Sequence, residues 1–263
     1  MIQKHSEFPD VFADKIAPKD LDGDHEYKID DMVRSYTDGR TVELYKCPIA
    51  GNFDLEHYAA IHGYLFQDVS SVAGSVRNYC MEGHGKEFAT PAEIDIVFSG
   101  SFSLSIERLL NCKGIDDFAE RGAYILAQIN YAHPCRDGNG RTTRIFMEYL
   151  ANKKGYSFNL ENVATHEKGR WYFANAEADR GNMEPLVSIL KEQITTKEIS
   201  HTLSLFTEYL IRNGTKEEKF NFAYKDLKMK LRQADHKAVE QFKDSILYAL
   251  GKKTNHKNEK LEP

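Results

Sequence analysis

Apolar residues recur every three or four positions over much of this 263-residue chain, the spacing that lines one face of a helix. The clearest run is Ile115 to Ala132, where Phe118, Gly122, Ile125, Leu126 and Ile129 form one stripe. Pro134 ends it, because proline disfavours helical backbone at the residue before it. A second helix is predicted from Thr142 to Lys153, with Ile145, Phe146, Tyr149 and Leu150 inward and Gly155 at its stop. Upstream, Asn52 or Asp54 can cap a helix on which Leu55, Tyr58, Ala59, His62, Leu65 and Phe66 share a face. Tyr27 to Tyr36 reads as a short helix between turn-like stretches at Leu21-Asp-Gly-Asp24 and Thr37-Asp-Gly-Arg40. Residues 75–90 hold two short extended pieces around Glu82-Gly-His-Gly85, the pattern of a hairpin or flap. Thr90-Pro-Ala-Glu93 then has the form of a capping box and opens a helical stretch through about Leu110. Further helices are predicted at about 166–179, 183–211, 216–232 and 236–250. The pattern is that of a mostly helical protein.

Composition narrows the class. Hydrophobic residues make up 41% and charged residues 29%, enough to bury a core and unlike a disordered, collagen-like or fibrous chain. The longest strongly apolar stretch, Ala123 to Ile129, is too short to cross a bilayer, so no membrane association is expected. The first ten residues lack an apolar secretory core, and four cysteines without a CxxC pair suit a reducing compartment. A cytoplasmic location, or delivery into a host cytosol, is the expectation. The net charge of −5 is uneven. From His201 onward 13 Lys and Arg stand against 9 Asp and Glu, while the first 200 residues hold 22 against 31. An acidic body with a mildly basic tail is not the footprint of a nucleic-acid binder, and no nucleic-acid partner is expected.

The chemistry is concentrated in His133-Pro-Cys-Arg-Asp-Gly-Asn-Gly-Arg-Thr-Thr-Arg144, a polar loop between the two best helices. Gly138 and Gly140 permit close approach, and the helix that follows offers free backbone N–H groups, a nest for anionic oxygens. Arg141 and Arg144, three apart on the first turn, can fork around phosphates. Asp137 is one hard carboxylate beside that nest, and Mg²⁺ commonly needs no more than one or two alongside phosphate and water. His133 can act as a general base near neutral pH. Together these groups describe phosphoryl- or nucleotidyl-transfer chemistry. The order is not that of a Walker A loop. A nucleophilic role for Cys135 is disfavoured, since no oxyanion arrangement accompanies it.

At these residues the chain resembles the Fic family, whose signature is HPFx[D/E]GN[G/K]RxxR, with Cys135 in place of the usual Phe. Gly51 to His57 with Ile61 to Asp68 resembles that family's first helix. Ala73-Gly-Ser-Val-Arg77 resembles the lead-in to its flap, and Ala178 to Leu186 the helices after the core. The resemblance covers roughly residues 30–195. It implies an all-α Fic-type bundle with a small β-hairpin flap over the active site. The division implied is an N-terminal extension at 1–50, a catalytic core at 51–195 and a C-terminal helical region with a basic tail at 196–263.

The implied activity is transfer of AMP from ATP to a Ser, Thr or Tyr hydroxyl of a target protein, as in a toxin or effector. By position, His133 would deprotonate the hydroxyl and Asp137 would hold Mg²⁺. Gly138, Asn139 and Gly140 would line the phosphate nest, and Arg141 and Arg144 would engage the outer phosphates. The flap residues Met81, Glu82, Gly83, His84 and Gly85 would pair with an extended target segment. Trp171, Tyr172 and Asp179 match positions near the nucleotide in some relatives. The rival readings are transfer of a phosphoryl or another nucleotidyl group, removal of AMP, or a weakened Fic scaffold that binds a partner. Many relatives carry an inhibitory [S/T]xxxE[G/N] helix whose Glu pairs with the arginine matching Arg144. Ser157-Phe-Asn-Leu-Glu-Asn162 fits that pattern. The preceding helix, however, carries the chain about 18 Å away, so the match reads as chance. Inhibition is then expected from a small antitoxin-like partner, or not at all.

Overall fold

The computed structural model describes residues 3–4, 15, 25–83 and 85–196. His84 of the flap and the helices predicted beyond residue 197 lie outside the described residues. Chain contacts form two compact units, Met1–Lys154 with Phe158–Gln193, and a second that includes Gly155–Ser157 and the residues from Ile194.

The first unit is mostly helical, as the periodicity predicts. Helix α1 (His25–Lys46) is followed by α2 (Leu55–Phe66), α3 (Pro91–Val97), α4 (Gly100–Leu110), α5 (Gly114–Ala132) and α6 (Asn139–Lys154). Then come α7 (Glu161–His166), α8 (Lys168–Asp179) and α9 (Glu184–Gln193). Asp54 caps α2 by accepting from the His57 N–H, and Thr90 with Glu93 completes the expected capping box on α3. The flap is real but small: β2 (Met81–Gly83) pairs antiparallel with β3 (Lys86–Glu87) and parallel with β1 (Gln3–Lys4). Strands β4 (Tyr156–Phe158) and β5 (Ile194–Thr196) form a separate two-stranded sheet.

Three elements differ from the sequence pattern. Helix α1 passes straight through Thr37-Asp-Gly-Arg40, which composition marks as a turn. Thr37 satisfies its hydroxyl on the Val33 and Arg34 carbonyls, and Arg40 forms a two-toothed pair with Asp68 beyond the end of α2. Such anchoring offsets the roughly 1 kcal/mol that Gly39 costs a helix interior. The stretch from Pro91 to Leu110 is two helices, because the chain breaks at Phe98 and restarts after Ser99. The helix predicted from 183 ends at Gln193, where the β-branched run Ile194-Thr-Thr196 becomes strand.

Helix α5 is the axis of the unit and packs on α4, α6 and α9. Its stripe glycine explains how closely: a Cβ on Gly122 would lie 3.2 Å from Leu190 Cδ2 of α9 and 3.6 Å from Leu109 Cδ1 of α4. Phe146 on α6 is the aromatic centre, edge-on to Phe53 at 5.5 Å and tilted against Tyr58 at 5.8 Å.

Ahead of α2 the chain is pinned by one ring. The Phe53 N–H donates to His57 Nδ1 at 3.2 Å, so the proton sits on Nε2, which donates to the Ile49 carbonyl at 2.9 Å. This holds Phe53 at a positive φ of 60°, and only glycine fits at position 51, where a Cβ would overlap the ring. Burial holds the imidazole below its ordinary value. The unfolded chain therefore takes up a proton first, so this contribution is full above about pH 6.5 and is lost as pH falls below it. Glu148, pushed up to about 7 by burial, acts in the opposite sense, so the informative quantity is a difference between proteins. We expect His57→Gln to lower the melting temperature at pH 7.5 by several degrees, and by much less at pH 5.5. Equal losses at both values would mean that the ring is not held neutral.

Candidate active site

The loop between α5 and α6 is buried, so its peptide groups need partners from outside it. His133 caps α5 in the left-handed conformation, with φ 42° and ψ 59°, and its N–H bonds back to the Ile129 carbonyl. Its ring stacks on Phe88, with centroids 3.9 Å apart and planes 15° from parallel. Asn139 closes the turn from within: its Oδ1 accepts from the Cys135 N–H at 2.9 Å and its Nδ2 donates to the Cys135 carbonyl at 2.7 Å. His62 spans from α2, accepting from the Gly74 N–H on Nδ1 and donating from Nε2 to the Asp137 carbonyl. Gly138 is required twice over, by its φ of 75° and by the Phe66 ring, 2.3 Å from where a Cβ would sit. Cys135 is fully buried and its thiol is pushed up to about 12, which leaves no thiolate nucleophile.

A small cleft opens on this loop. His133, Asn139, Gly140, Thr143 and Arg144 line it together with Leu126, Ile129, Asn130, Leu160, Trp171 and Asn175. The cleft thus combines a histidine and a helix N-terminus with a half-apolar recess and two amides. Asn175 donates to the Trp171 carbonyl and accepts from Asn130. The Asn139 side chain is committed to the loop, so what it offers the cleft is backbone. Arg141 turns towards α1 and α2, donating to Thr37 Oγ1 at 3.1 Å with its guanidinium 4.6 Å over the Phe66 ring. Asp137 accepts from the Gly138 N–H. No group of three or more metal-ligating side chains occurs among the described residues, so a cation beside Asp137 would take most of its ligands from phosphate and water. That is the coordination Mg²⁺ prefers, and a lone carboxylate fits it.

The other sequence candidates separate. Trp171 lines the cleft, whereas Tyr172 is more than half exposed. Asp179 pairs with Lys86 of β3 at 2.6 Å, so it ties the flap to the end of α8. In the flap, Met81 is buried, Glu82 faces Glu87, Gly83 faces Lys86, and Gly85 makes the turn at a φ of 76°. Phe88, Thr37 and the second role of His62 were not evident in sequence, since none belongs to the motif.

The reading of Glu161 as lying at the wrong end is corrected. Its carboxylate stands 2.6 Å from Arg144 Nε. Ten helical residues carry the chain about 15 Å beyond Arg144, but the seven that follow Lys154 can reach about 23 Å when extended, enough to return. The carboxylate lies out of line with the Nε–H, which has no hydrogen-bond partner among the described residues. The contact is a charge pair without an aligned bond.

Comparison with known proteins places this geometry. Residues 52–151 match the Fic/DOC family. "Probable protein adenylyltransferase y4lH" of Sinorhizobium fredii is 31% identical over 147 residues, covering 55% of this chain and 74% of that protein. Protein adenylyltransferase VbhT of Bartonella schoenbuchensis is 32% identical over 158 residues, 59% of this chain but only 32% of that longer protein. Among solved structures, the N-terminal Fic domain of a VirB-translocated Bep effector from Bartonella quintana, with bound ADP, superposes with a TM-score of 0.60. It is 24% identical, and the match covers 65% of this chain and 86% of that one. BepC of Bartonella tribocorum, with bound AMPPNP, gives 0.59 at 24% identity, covering 65% and 88%. The chain belongs to the Fic/DOC family.

The Glu161 contact has a bounded effect. Its carboxylate is 57% exposed, and pairs of that kind contribute at most about 1 kcal/mol, or roughly fivefold. We expect Glu161→Gln to tighten ATP binding about two- to fivefold by calorimetry. A gain above about tenfold would make Glu161 a true brake and overturn this estimate.

Proposed function

We propose that the chain is a protein adenylyltransferase that moves AMP from ATP to a Ser, Thr or Tyr hydroxyl of a target protein, in toxin- or effector-like use. One observation carries the reading: a histidine and an arginine line the same cleft at the N-terminus of α6, together with Gly140. His133 takes the proton as the hydroxyl oxygen attacks the α-phosphorus. The bond from that phosphorus to the bridging oxygen breaks, and pyrophosphate leaves. The free N–H groups of the first turn of α6 receive the phosphate oxygens, and Arg144 balances charge on the leaving group. Arg141, held against Phe66, adds positive potential behind the loop. Asp137 would hold Mg²⁺, which when bound neutralises phosphate charge. The recess at Trp171 suits a flat base against an indole. Strand β2 lies between β1 and β3, so the flap edge open to an extended target segment would be the outer one of β3.

Incubation with labelled ATP tests the reaction: label at the α-phosphate should remain on protein, and label at the γ-phosphate should not. The reverse would favour phosphoryl transfer on the same fold. His133→Ala should cut the rate about 10²- to 10⁴-fold while ATP affinity stays within about twofold, because the base acts on the incoming hydroxyl. Near-normal rates in that variant would sink the mechanism. Asp137→Ala should remove most of the magnesium dependence of nucleotide binding, and an unchanged dependence would show that another group holds the cation.

A further inference from the structure

Arg77 is 4% exposed, and all its hydrogen-bond partners among the described residues are carbonyl oxygens. Nε donates to His133 at 2.8 Å, Nη1 to Tyr79 at 2.6 Å, and Nη2 to both Ala132, at 3.0 Å, and Ala89. Its own backbone N–H donates to the Pro134 carbonyl at 2.8 Å. One planar group thus joins the last carbonyls of α5 to both ends of the flap segment. Next to that junction, Phe88 lies flat on the His133 ring, and Ala89 bonds through its N–H to the Tyr131 carbonyl. A buried cation with no carboxylate partner among the described residues is costly, and a lysine, with its three donors on one atom, could not reach four separated carbonyls. Simple flap attachment does not require it, since Lys86 with Asp179 already supplies one tether.

We propose that Arg77 is a positioning residue for the transfer reaction: with Phe88 it locks the backbone of His133 to the flap. The spacing between the base and a hydroxyl carried on the flap is then set by one guanidinium. The proposal rests on the reading of His133 as general base. A misplacement of about 1 Å can cost a hundredfold in rate, so the clamp acts on turnover rather than on nucleotide binding.

The test uses the full chain carrying Arg77→Lys, which keeps the charge and loses the fan of donors. A second variant, Phe88→Leu, removes the ring stacked on His133 and serves, through transfer and ATP affinity, if the first does not fold. Three quantities are compared with wild type: transfer of α-labelled phosphate from ATP to protein, ATP affinity by calorimetry, and the proton shifts of the His133 ring in histidine-labelled protein. Stacking on Phe88 moves those protons upfield. The expected result is a ten- to hundredfold loss of transfer, ATP affinity within twofold, and His133 protons returned towards ordinary positions. Transfer within twofold of wild type, or an unmoved His133 signal, overturns the proposal. Affinity falling in step with rate also overturns it, since the clamp would then support the whole cleft. If the wild-type chain transfers no AMP while the His133 signal still depends on Arg77, the functional reading fails and the positioning stands.

Discussion

Peptide groups shut away from water must be satisfied, and the loop after α5 is shut away on nearly every side. Asn139 bridges it from within, His62 reaches it from α2, Arg77 reaches it from the lead-in to the flap, and Tyr58 donates to the Asn139 carbonyl at 3.0 Å. All four side chains address backbone. The loop is therefore held by its main chain, and apart from Asn139 and the buried Cys135 the motif's own side chains are left to face the cleft or stand behind it. The N-terminus of α6 is rigid enough for its N–H groups to be aimed before any anion arrives, which is where preorganised electrostatics gains most.

Charge around the loop follows the same logic. Arg77 and Arg141 are both drawn from water, and burial lowers the hold of each on its proton without removing it. Among the described residues, Asp137, Asp38 and the outlying Glu161 supply negative charge to Arg141. Arg141 and Arg144 stand beside a helix terminus whose partial positive charge adds to theirs, the arrangement a polyphosphate would meet.

The sequence was most legible where information is local. Helices α5 and α6 carry unbroken periodicity with stop signals, and the twelve-residue motif lies between them. Helix α1 was misread because Asp38-Gly39 spells a turn, while the partner that overrules it, Asp68, is 28 residues from Arg40. The return of Glu161 was missed because helix length fixes where a chain leaves and not where the next segment takes it. Arg77 could be seen only as part of a resemblance, since its partners are carbonyls, and carbonyls leave no trace in a pattern of side chains. Residue roles that depend on backbone contacts across some 55 positions are invisible to any periodicity.

His133 occupies a helix-ending position where glycine or asparagine is the common choice, because a left-handed backbone costs most residues with a Cβ roughly 1 kcal/mol or more. The stack of its ring on Phe88 returns part of that cost. A glycine here would relax the bend and leave the face of Phe88 bare, so backbone and side chain ask for different residues at one position.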